Sequence, residues 1–286
     1  MINALKQSLL AAYYYGTTPY RRLAAARAAH QGRFPVVVLF YHRVSDTGED
    51  SCTISNQAFI EQIDWLRERF DMISLEEAQR RIRGGACERP GVAITFDDGY
   101  AENCEQALPY LIEHRVPCTY FACTGNVVEG LPFPHDVAAG TPRPVNTIAQ
   151  LRALSAAGVE IGAHTRSHAD LGRLHDPHRL RDEIADAGKE MAELIGWPVR
   201  YFAFPFGQHC NLNAQAFRIA REAGYEAVCS AYGGYNFPGD DDFHLQRFHG
   251  DPNLLRVKNW VTVDPRKRFG VKRYQCDLPA ARRNAP

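Results

Sequence analysis

Two pairs of side chains in this sequence have the types and spacing needed to bind a metal ion and to move protons. Asp97 and Asp98 are adjacent and follow the apolar run 92–96, while His164 and His168 follow the apolar run 159–163. Two imidazoles and one carboxylate suit Zn²⁺ and leave positions open for water and substrate. Taken alone, the aspartate pair could instead cap a helix, and the histidine spacing is weak evidence. Their shared placement after apolar runs favours a common site.

The elements that would position these residues are short strands alternating with helices. Strand patterns lie at 35–41, 92–96, 117–122, 159–163, 200–204, 225–229 and, more weakly, 244–248. Helical patterns lie at 56–69, 75–83, 101–114, 147–157, 177–195 and 212–223. This alternation is typical of βα units in an α/β protein with a parallel sheet. It predicts a single catalytic domain over residues 34–265, a distorted (β/α)7-type barrel.

In a parallel barrel the carboxyl ends of all strands share one face, which is where active sites form. His42 follows the first predicted strand, and Pro205 begins a Pro-Phe-Gly segment after the run 200–204. The topology therefore predicts that both lie near the aspartate and histidine pairs. Residues that are distant in the chain would then form one site.

Charge is distributed unevenly along the chain. The 33 Lys and Arg residues balance 33 Asp and Glu residues, which argues against a dedicated nucleic-acid binder. Residues 1–45 hold six basic residues and no acidic one, residues 256–286 hold nine basic and two acidic ones, and the chain between them has 18 basic and 31 acidic residues. Basic ends favour an anionic surface or partner.

The two ends are predicted to lie outside the barrel. Residues 1–33 are apolar and then rich in Arg and Ala, which fits either a helix packed on the domain or frayed in solvent, or a basic amphipathic segment resting on a membrane surface. Residues 266–286 are interpreted as a solvated basic tail. No apolar run reaches about 18 residues, and the eight cysteines form no C-x-x-C pair. We expect free thiols and a cytoplasmic protein, peripheral on the inner membrane face if the first segment docks there.

Three motifs together resemble the polysaccharide deacetylase family, carbohydrate esterase family 4. They are Thr-Phe-Asp-Asp-Gly at 95–99, His-Thr-Arg-Ser-His at 164–168 and Phe-Pro-Phe-Gly at 204–207, and the resemblance covers roughly residues 34–262. It implies a metal-dependent hydrolase, with Zn²⁺ the first candidate cofactor. Asp97 corresponds to the general base, and the implied metal ligands are Asp98, His164 and His168. The backbone N–H of Phe206 corresponds to the donor that holds the oxyanion.

The sequence departs from the commonest family pattern at its third motif. Ala203 and Phe204 stand where an arginine is usual, and the late Leu-x-His that carries the catalytic acid is not evident. A subset that includes exopolysaccharide and poly-N-acetylglucosamine deacetylases has Tyr-His at the end of the first strand, which resembles Tyr-His at 41–42. The resemblance therefore implies His42 as the acid, with His249 as the alternative.

Three further residues are assigned near the substrate. Arg247 either orients the general base in place of the missing arginine or makes a surface ion pair. Pro205, in the third motif, and Tyr100, directly after the first, are expected on the substrate side of the site.

The function that the resemblance implies is removal of N-acetyl groups from a glycan, with release of acetate. Two alternatives keep the fold and change the substrate: a non-sugar amidase acting on a cyclic imide or ureide, and an O-deacetylase. A third alternative is a non-catalytic glycan-binding protein. The sequence does not indicate the glycan or the oligomeric state.

Overall fold

The computed structural model describes residues 2–48, 50 and 52–276. The strands are β1 (Val36–Tyr41), β2 (Arg43–Val44), β3 (Thr53–Ile54), β4 (Asp71–Met72), β5 (Gly91–Phe96), β6 (Cys118–Ala122), β7 (Glu160–Ala163), β8 (Tyr201–Ala203), β9 (Ala227–Ser230) and β10 (His244–His249). The helices are α1 (Ile2–Gly16), α2 (Thr18–Gln31), α3 (Asn56–Arg67), α4 (Leu75–Arg83), α5 (Ala107–Glu113), α6 (Thr124–Glu129), α7 (Pro134–Ala138), α8 (Ile148–Ala156), α9 (Pro177–Arg181), α10 (Ala187–Ile195), α11 (Ala214–Glu222), α12 (Leu254–Val261) and α13 (Pro265–Gly270).

Seven parallel strands close into a barrel. They follow one another in the order β1, β5, β6, β7, β8, β9 and β10, and β10 pairs with β1 to complete the ring. The short strand β4 adds to β5 at Gly91 and Val92. Six residue pairs join β1 to β5, whereas one pair, Ala163 with Phe202, joins β7 to β8. The predicted distorted (β/α)7 barrel is confirmed, and its sparsest pairing lies directly before His164.

The barrel strands are buried on both faces because side chains alternate between the interior and the surrounding helices. Val36 and Val38 of β1 belong to the interior cluster, which α4 closes at the amino-terminal end of the barrel with Leu75, Ala78 and Ile82. The intervening side chains of β1 pack outward in a second cluster that includes residues of α3 and α5. This double burial explains why the strands are near-continuous apolar runs in the sequence.

Two of the predicted helices are interrupted. The segment 101–114 forms a 3₁₀ turn, Ala101–Cys104, before α5 begins. The segment 177–195 consists of α9, a π-helical turn over Asp182–Asp186, and α10. A hydrophobic pattern in the sequence does not distinguish short 3₁₀ or π-helical turns from one continuous helix.

The amino-terminal segment forms the helices α1 and α2, which pack against α12 and the loop after it. Tyr13 of α1 donates a hydrogen bond to Asp264 (2.6 Å). Arg21 of α2 donates to the side-chain oxygen of Asn259 and to its carbonyl oxygen (2.5 and 2.7 Å). The segment is therefore packed on the domain and is not frayed in solvent. Within the described residues, no helix combines the length and hydropathy needed to cross a membrane.

The prediction of a solvated tail from residue 266 is wrong for the part that the structure describes. Residues 265–270 form α13, Arg273 donates to Asp240 (2.8 Å), and the ring of Tyr274 stacks on Phe217 (5.5 Å between centroids). Acidic and aromatic partners on the barrel hold this segment, which composition alone does not reveal. Residues 277–286, with Arg282 and Arg283, lie outside the described residues. No disulfide links cysteines within the described part of the chain.

Candidate active site

Asp98, His164 and His168 bring one oxygen and two nitrogen atoms together at the carboxyl ends of β5 and β7. Oδ1 of Asp98 lies 3.4 Å from Nε2 of His164 and 3.2 Å from Nε2 of His168. Two ligands that are each about 2.1 Å from a tetrahedral Zn²⁺ lie about 3.4 Å from one another. Oδ1 is also buried and makes no hydrogen bond with the described residues. The three side chains therefore fit a divalent metal ion.

The ring of His164 is held in the orientation that a metal ligand requires. Its Nδ1 lies 2.8 Å from the carbonyl oxygen of Ala203, the last residue of β8. A carbonyl oxygen only accepts hydrogen bonds, so Nδ1 carries the hydrogen and donates it. The lone pair is then on Nε2, the atom that faces Asp98. Such a contact fixes both the tautomer and the ring plane of a ligating histidine.

The loop that carries both histidines is braced by Glu183, which the sequence analysis did not identify. Oε2 of Glu183 accepts hydrogen bonds from the backbone N–H groups of Arg166 and Ser167 (3.0 and 2.9 Å), and Oε1 accepts from the hydroxyl of Ser167 (2.6 Å). Glu183 lies on the π-helical turn, a feature that often marks functional sites. Nothing in the sequence separates this glutamate from other helical acidic residues, because its orientation depends on the turn.

Backbone strain is concentrated at this site. Six non-glycine residues among those described have a positive φ, and four of them are site residues. The four are Asp98 (75°), Thr165 (67°), His168 (56°) and Phe206 (60°). Non-glycine residues adopt this region at an energetic cost, and such strain persists where the surrounding structure enforces it. Two of the four, Asp98 and His168, are candidate metal ligands, so the strained backbone fixes the direction of their side chains.

Asp97 forms a buried ion pair with Arg247 of β10. The two guanidinium NH groups donate to the two carboxylate oxygens at 2.7 and 2.8 Å, and Arg247 is 0% exposed. Burial, the largest single effect, would raise the pKa of Asp97, but the charge and hydrogen bonds of Arg247 together with the charges of His164 and His42 outweigh it, and the net pKa is lowered. The surface ion pair considered for Arg247 is therefore excluded, and the expected contact with Asp97 is present. Asp97 is held ionised in a fixed orientation.

We expect Arg247→Met to lower the free energy of unfolding by about 3–5 kcal/mol, because it leaves the Asp97 carboxylate buried without its partner. Urea denaturation measures this change. The matched control is Arg200→Met, since Arg200 pairs with Glu160 near the surface, where such pairs contribute less than about 1 kcal/mol. Adding Asp97→Asn to Arg247→Met should recover part of the loss. Equal, small losses in both single variants would contradict a tightly coupled buried pair.

A cavity of about 270 Å³ opens beside Asp97 at the same end of the barrel. His42, His164, His249 and Phe206 also contribute to its walls. The rings of His42 and His249 lie 5.5 Å apart, and Nδ1 of His42 is buried without a hydrogen-bond partner among the described residues. His42 therefore presents an unpaired ring nitrogen beside the base and the candidate metal ligands.

The two candidate acids differ in their surroundings. Burial, with a smaller contribution from the charge of the nearby His42, lowers the pKa of His249 to about 4. His249 is therefore neutral near pH 7 and holds no proton to donate from an imidazolium. This difference favours His42, the residue that the sequence analysis preferred.

The remaining predicted site residues occupy different positions. Phe206 is 55% exposed at the cavity, and its backbone N–H makes no hydrogen bond with the described backbone. Pro205 is buried, and its carbonyl accepts from the N–H of Gly207 (2.6 Å). Tyr100 is buried as well, and its hydroxyl donates to Asp136 (3.0 Å). Neither Pro205 nor Tyr100 lines the cavity, so the structure does not place these side chains on the substrate side where they were expected.

Comparison with known proteins gives consistent matches. A family model described as polysaccharide deacetylase matches residues 84–228. YxkH of Bacillus subtilis (strain 168), whose name places it among the polysaccharide deacetylases, is 24% identical over 221 residues, which cover 76% of this chain and 72% of YxkH. The chitooligosaccharide deacetylase of Bradyrhizobium sp. (strain ANU 289) is 30% identical over 132 residues, 46% of this chain and 52% of that protein. The solved structure of IcaB from Ammonifex degensii superposes with a TM-score of 0.65 at 25% identity, covering 80% of this chain and 98% of IcaB.

Proposed function

The chain belongs to the polysaccharide deacetylase family, and we propose that it is a metal-dependent hydrolase that removes N-acetyl groups from a polysaccharide, an oligosaccharide or a lipid-linked glycan. The observation that carries the proposal is the arrangement of Asp98, His164 and His168 beside the ion-paired Asp97. Amide hydrolysis needs an activated water, a base, a stabilised oxyanion and an acid for the leaving amine. The site offers a candidate for each.

Asp98, His164 and His168 would hold the cation, and their ligand atoms suit Zn²⁺. A divalent cation at this position supplies Lewis acidity, which lowers the pKa of a coordinated water and polarises the acetamide carbonyl. The cavity beside Asp97 and His164 would give water and substrate access to such a cation. Water and substrate would therefore meet next to Asp97.

The chain's own side chains supply the proton transfers. Each Asp97 oxygen accepts one hydrogen bond from Arg247 and keeps a second lone pair, so the carboxylate can take the proton of the attacking water. The N–H of Phe206 would donate to the developing oxyanion, and one such donor typically contributes about 3 kcal/mol to lowering the barrier. His42 would protonate the departing amine, and acetate and a free amino sugar leave.

We expect His42→Ala to lower kcat by about two orders of magnitude, because loss of a general acid typically costs at least that much. His249→Ala is the matched variant, and it should change kcat far less, since His249 is uncharged near pH 7. Acetate release from an N-acetylglucosamine oligomer measures both, and metal content checks that each variant keeps its cation. A larger loss in His249→Ala than in His42→Ala would reverse the assignment of the acid.

The substrate class is tested by acetate release from a panel of acetylated compounds, with and without a chelator. N-acetylated oligosaccharides should release acetate, and the chelator should stop the reaction. Activity confined to O-acetylated sugars would favour an O-deacetylase, and hydrolysis of cyclic imides or ureides alone would favour a non-sugar amidase. Glycan binding without acetate release would indicate a non-catalytic protein. The name of the Bradyrhizobium relative supports including chitin oligomers in the panel.

A further inference from the structure

A second cavity lies at the end of the barrel opposite to the candidate active site. It measures about 580 Å³ and lies between α2 and the residues that precede β1 and β5, including Phe34, Pro35 and Pro90. The candidate active site lies at the other ends of the same strands, where Asp97 follows β5. The catalytic reaction proposed above makes no use of this cavity.

Arginines surround the cavity, and no acidic residue lines it. The six are Arg21, Arg22, Arg27, Arg33, Arg69 and Arg268. Arg69 pairs with Glu68 (2.5 Å), whereas the other five form no ion pair within the part of the chain that the structure describes. Such a concentration of uncompensated positive charge around a concave surface attracts an anion.

Arg21 is the most constrained of these side chains. It is 5% exposed, and its guanidinium donates only to neutral groups: Thr17, Thr262 and the two oxygens of Asn259. A buried charge is costly unless an opposite charge or a full set of hydrogen bonds compensates it. These hydrogen bonds use four of the five guanidinium N–H groups, but no carboxylate among the described residues compensates the charge. An anion in the cavity would supply that compensation.

The cavity also has an apolar wall, and the elements around it expose apolar side chains. Ala24, Ala25, Ala28 and Val261 line it together with aromatic residues. Ten large apolar side chains are exposed in the described chain, and half of them belong to α1, α2 and α13. These five are Leu5, Leu9, Tyr15, Leu23 and Phe269. Exposed apolar groups beside a basic patch are typical of helices that lie in a membrane interface.

We propose that this cavity binds an anionic phospholipid, with the phosphate among the arginines and the first part of an acyl chain along the apolar wall, so that α1, α2 and α13 dock on an anionic membrane surface. Charge complementarity favours the phosphate, and the apolar wall together with the exposed side chains favours a lipid over a free anion. The proposal does not depend on the hydrolase reaction, because the two sites are at opposite ends of the barrel.

The geometry determines how a docked molecule would face its substrate. The barrel strands are about 20 Å long for six residues, and the candidate active site lies at their far end. The site would then face away from the membrane. A glycan in solution, or the distal part of a long membrane-attached glycan, would reach it more readily than the first sugar on a lipid phosphate.

Co-sedimentation with vesicles tests the proposal. The full chain should sediment with vesicles of phosphatidylcholine and phosphatidylglycerol but not with phosphatidylcholine alone. We expect Arg22→Ser with Arg27→Ser to weaken this binding about thirtyfold, since each basic side chain near an anionic surface contributes about a factor of five. The control is Arg179→Ser with Arg218→Ser, which removes two exposed arginines of α9 and α11. Equal weakening in both double variants would overturn a specific site.

A second pair of variants separates the cavity from general charge attraction. Ala28→Trp fills the cavity without changing charge, whereas Ala26→Trp places the same side chain on the exposed side of α2, outside the lining. We expect Ala28→Trp to lose most of the vesicle binding and Ala26→Trp to retain it, with acetate release unchanged in both. Full binding by Ala28→Trp would overturn the proposal. Complete displacement of the protein from vesicles by inorganic phosphate, at matched ionic strength, would also overturn it and indicate a simple anion site.

Discussion

Asp97→Asn is expected to lower kcat for acetate release by about three orders of magnitude while the protein keeps its metal ion. Asparagine has nearly the same shape as aspartate, but it cannot accept the proton of the attacking water. Loss of a positioned general base typically costs about 10²- to 10⁴-fold. Steady-state kinetics on an N-acetylglucosamine oligomer measures the loss, and elemental analysis of the same sample measures the metal.

The variant also removes the countercharge of Arg247, so destabilisation must be separated from loss of the base. Asp71→Asn is a suitable control, because Asp71 pairs with Arg81 and Arg89 away from the site. It should leave kcat unchanged. Thermal unfolding curves of both variants show whether each protein is folded at the temperature of the assay. Wild-type turnover by folded Asp97→Asn would exclude Asp97 as the base.

Asp98→Ala is expected to reduce the bound metal from about one ion per chain to a small fraction, and to abolish acetate release. Three protein ligands are typical of a catalytic zinc site, and two imidazoles alone hold the ion much more weakly. Metal content after exhaustive dialysis measures this change. Asp97→Asn provides the comparison, because it changes the neighbouring carboxylate. We expect Asp98→Ala to lose the metal ion and Asp97→Asn to keep it.

Adding excess Zn²⁺ to Asp98→Ala should restore little acetate release, because the variant lacks one of the three ligand atoms. A variant that retains a full equivalent of metal would show that Asp98 is not a ligand. In that case the short contacts of Asp98 with the two histidines would represent a structural ion pair.

The barrel was predictable because its strands are buried on both faces. Residues 36–41 and 91–96 are near-continuous apolar runs in the sequence, and parallel strands of this kind pair in barrels and doubly wound sheets. The interrupted helices were not predictable in the same way. The π-helical turn at 182–186 joins α9 to α10 without a gap, and only tertiary packing shows where the extra residue is inserted.

The residues of the candidate site also fall into those that the sequence predicts and those that depend on tertiary packing. Asp97, Asp98, His164 and His168 follow strands directly, so the topology alone places them on one face. The contact of Arg247 with Asp97 was one of the two alternatives considered for this residue. Glu183 was missed, because its role depends on a loop of irregular backbone rather than on a motif. The buried hydroxyl of Tyr100 and the cavity beneath α2 likewise depend on packing between segments that are distant in sequence.

The central claim is that Asp98, His164 and His168 bind one cation beside Asp97. Crystals of the zinc-loaded protein, measured on both sides of the zinc absorption edge, test it most directly. We predict one strong anomalous peak about 2.0–2.2 Å from an oxygen of Asp98 and from Nε2 of both histidines. A map with no peak between these three side chains, or with the zinc bound at cysteines instead, would contradict the claim and with it the proposed hydrolysis.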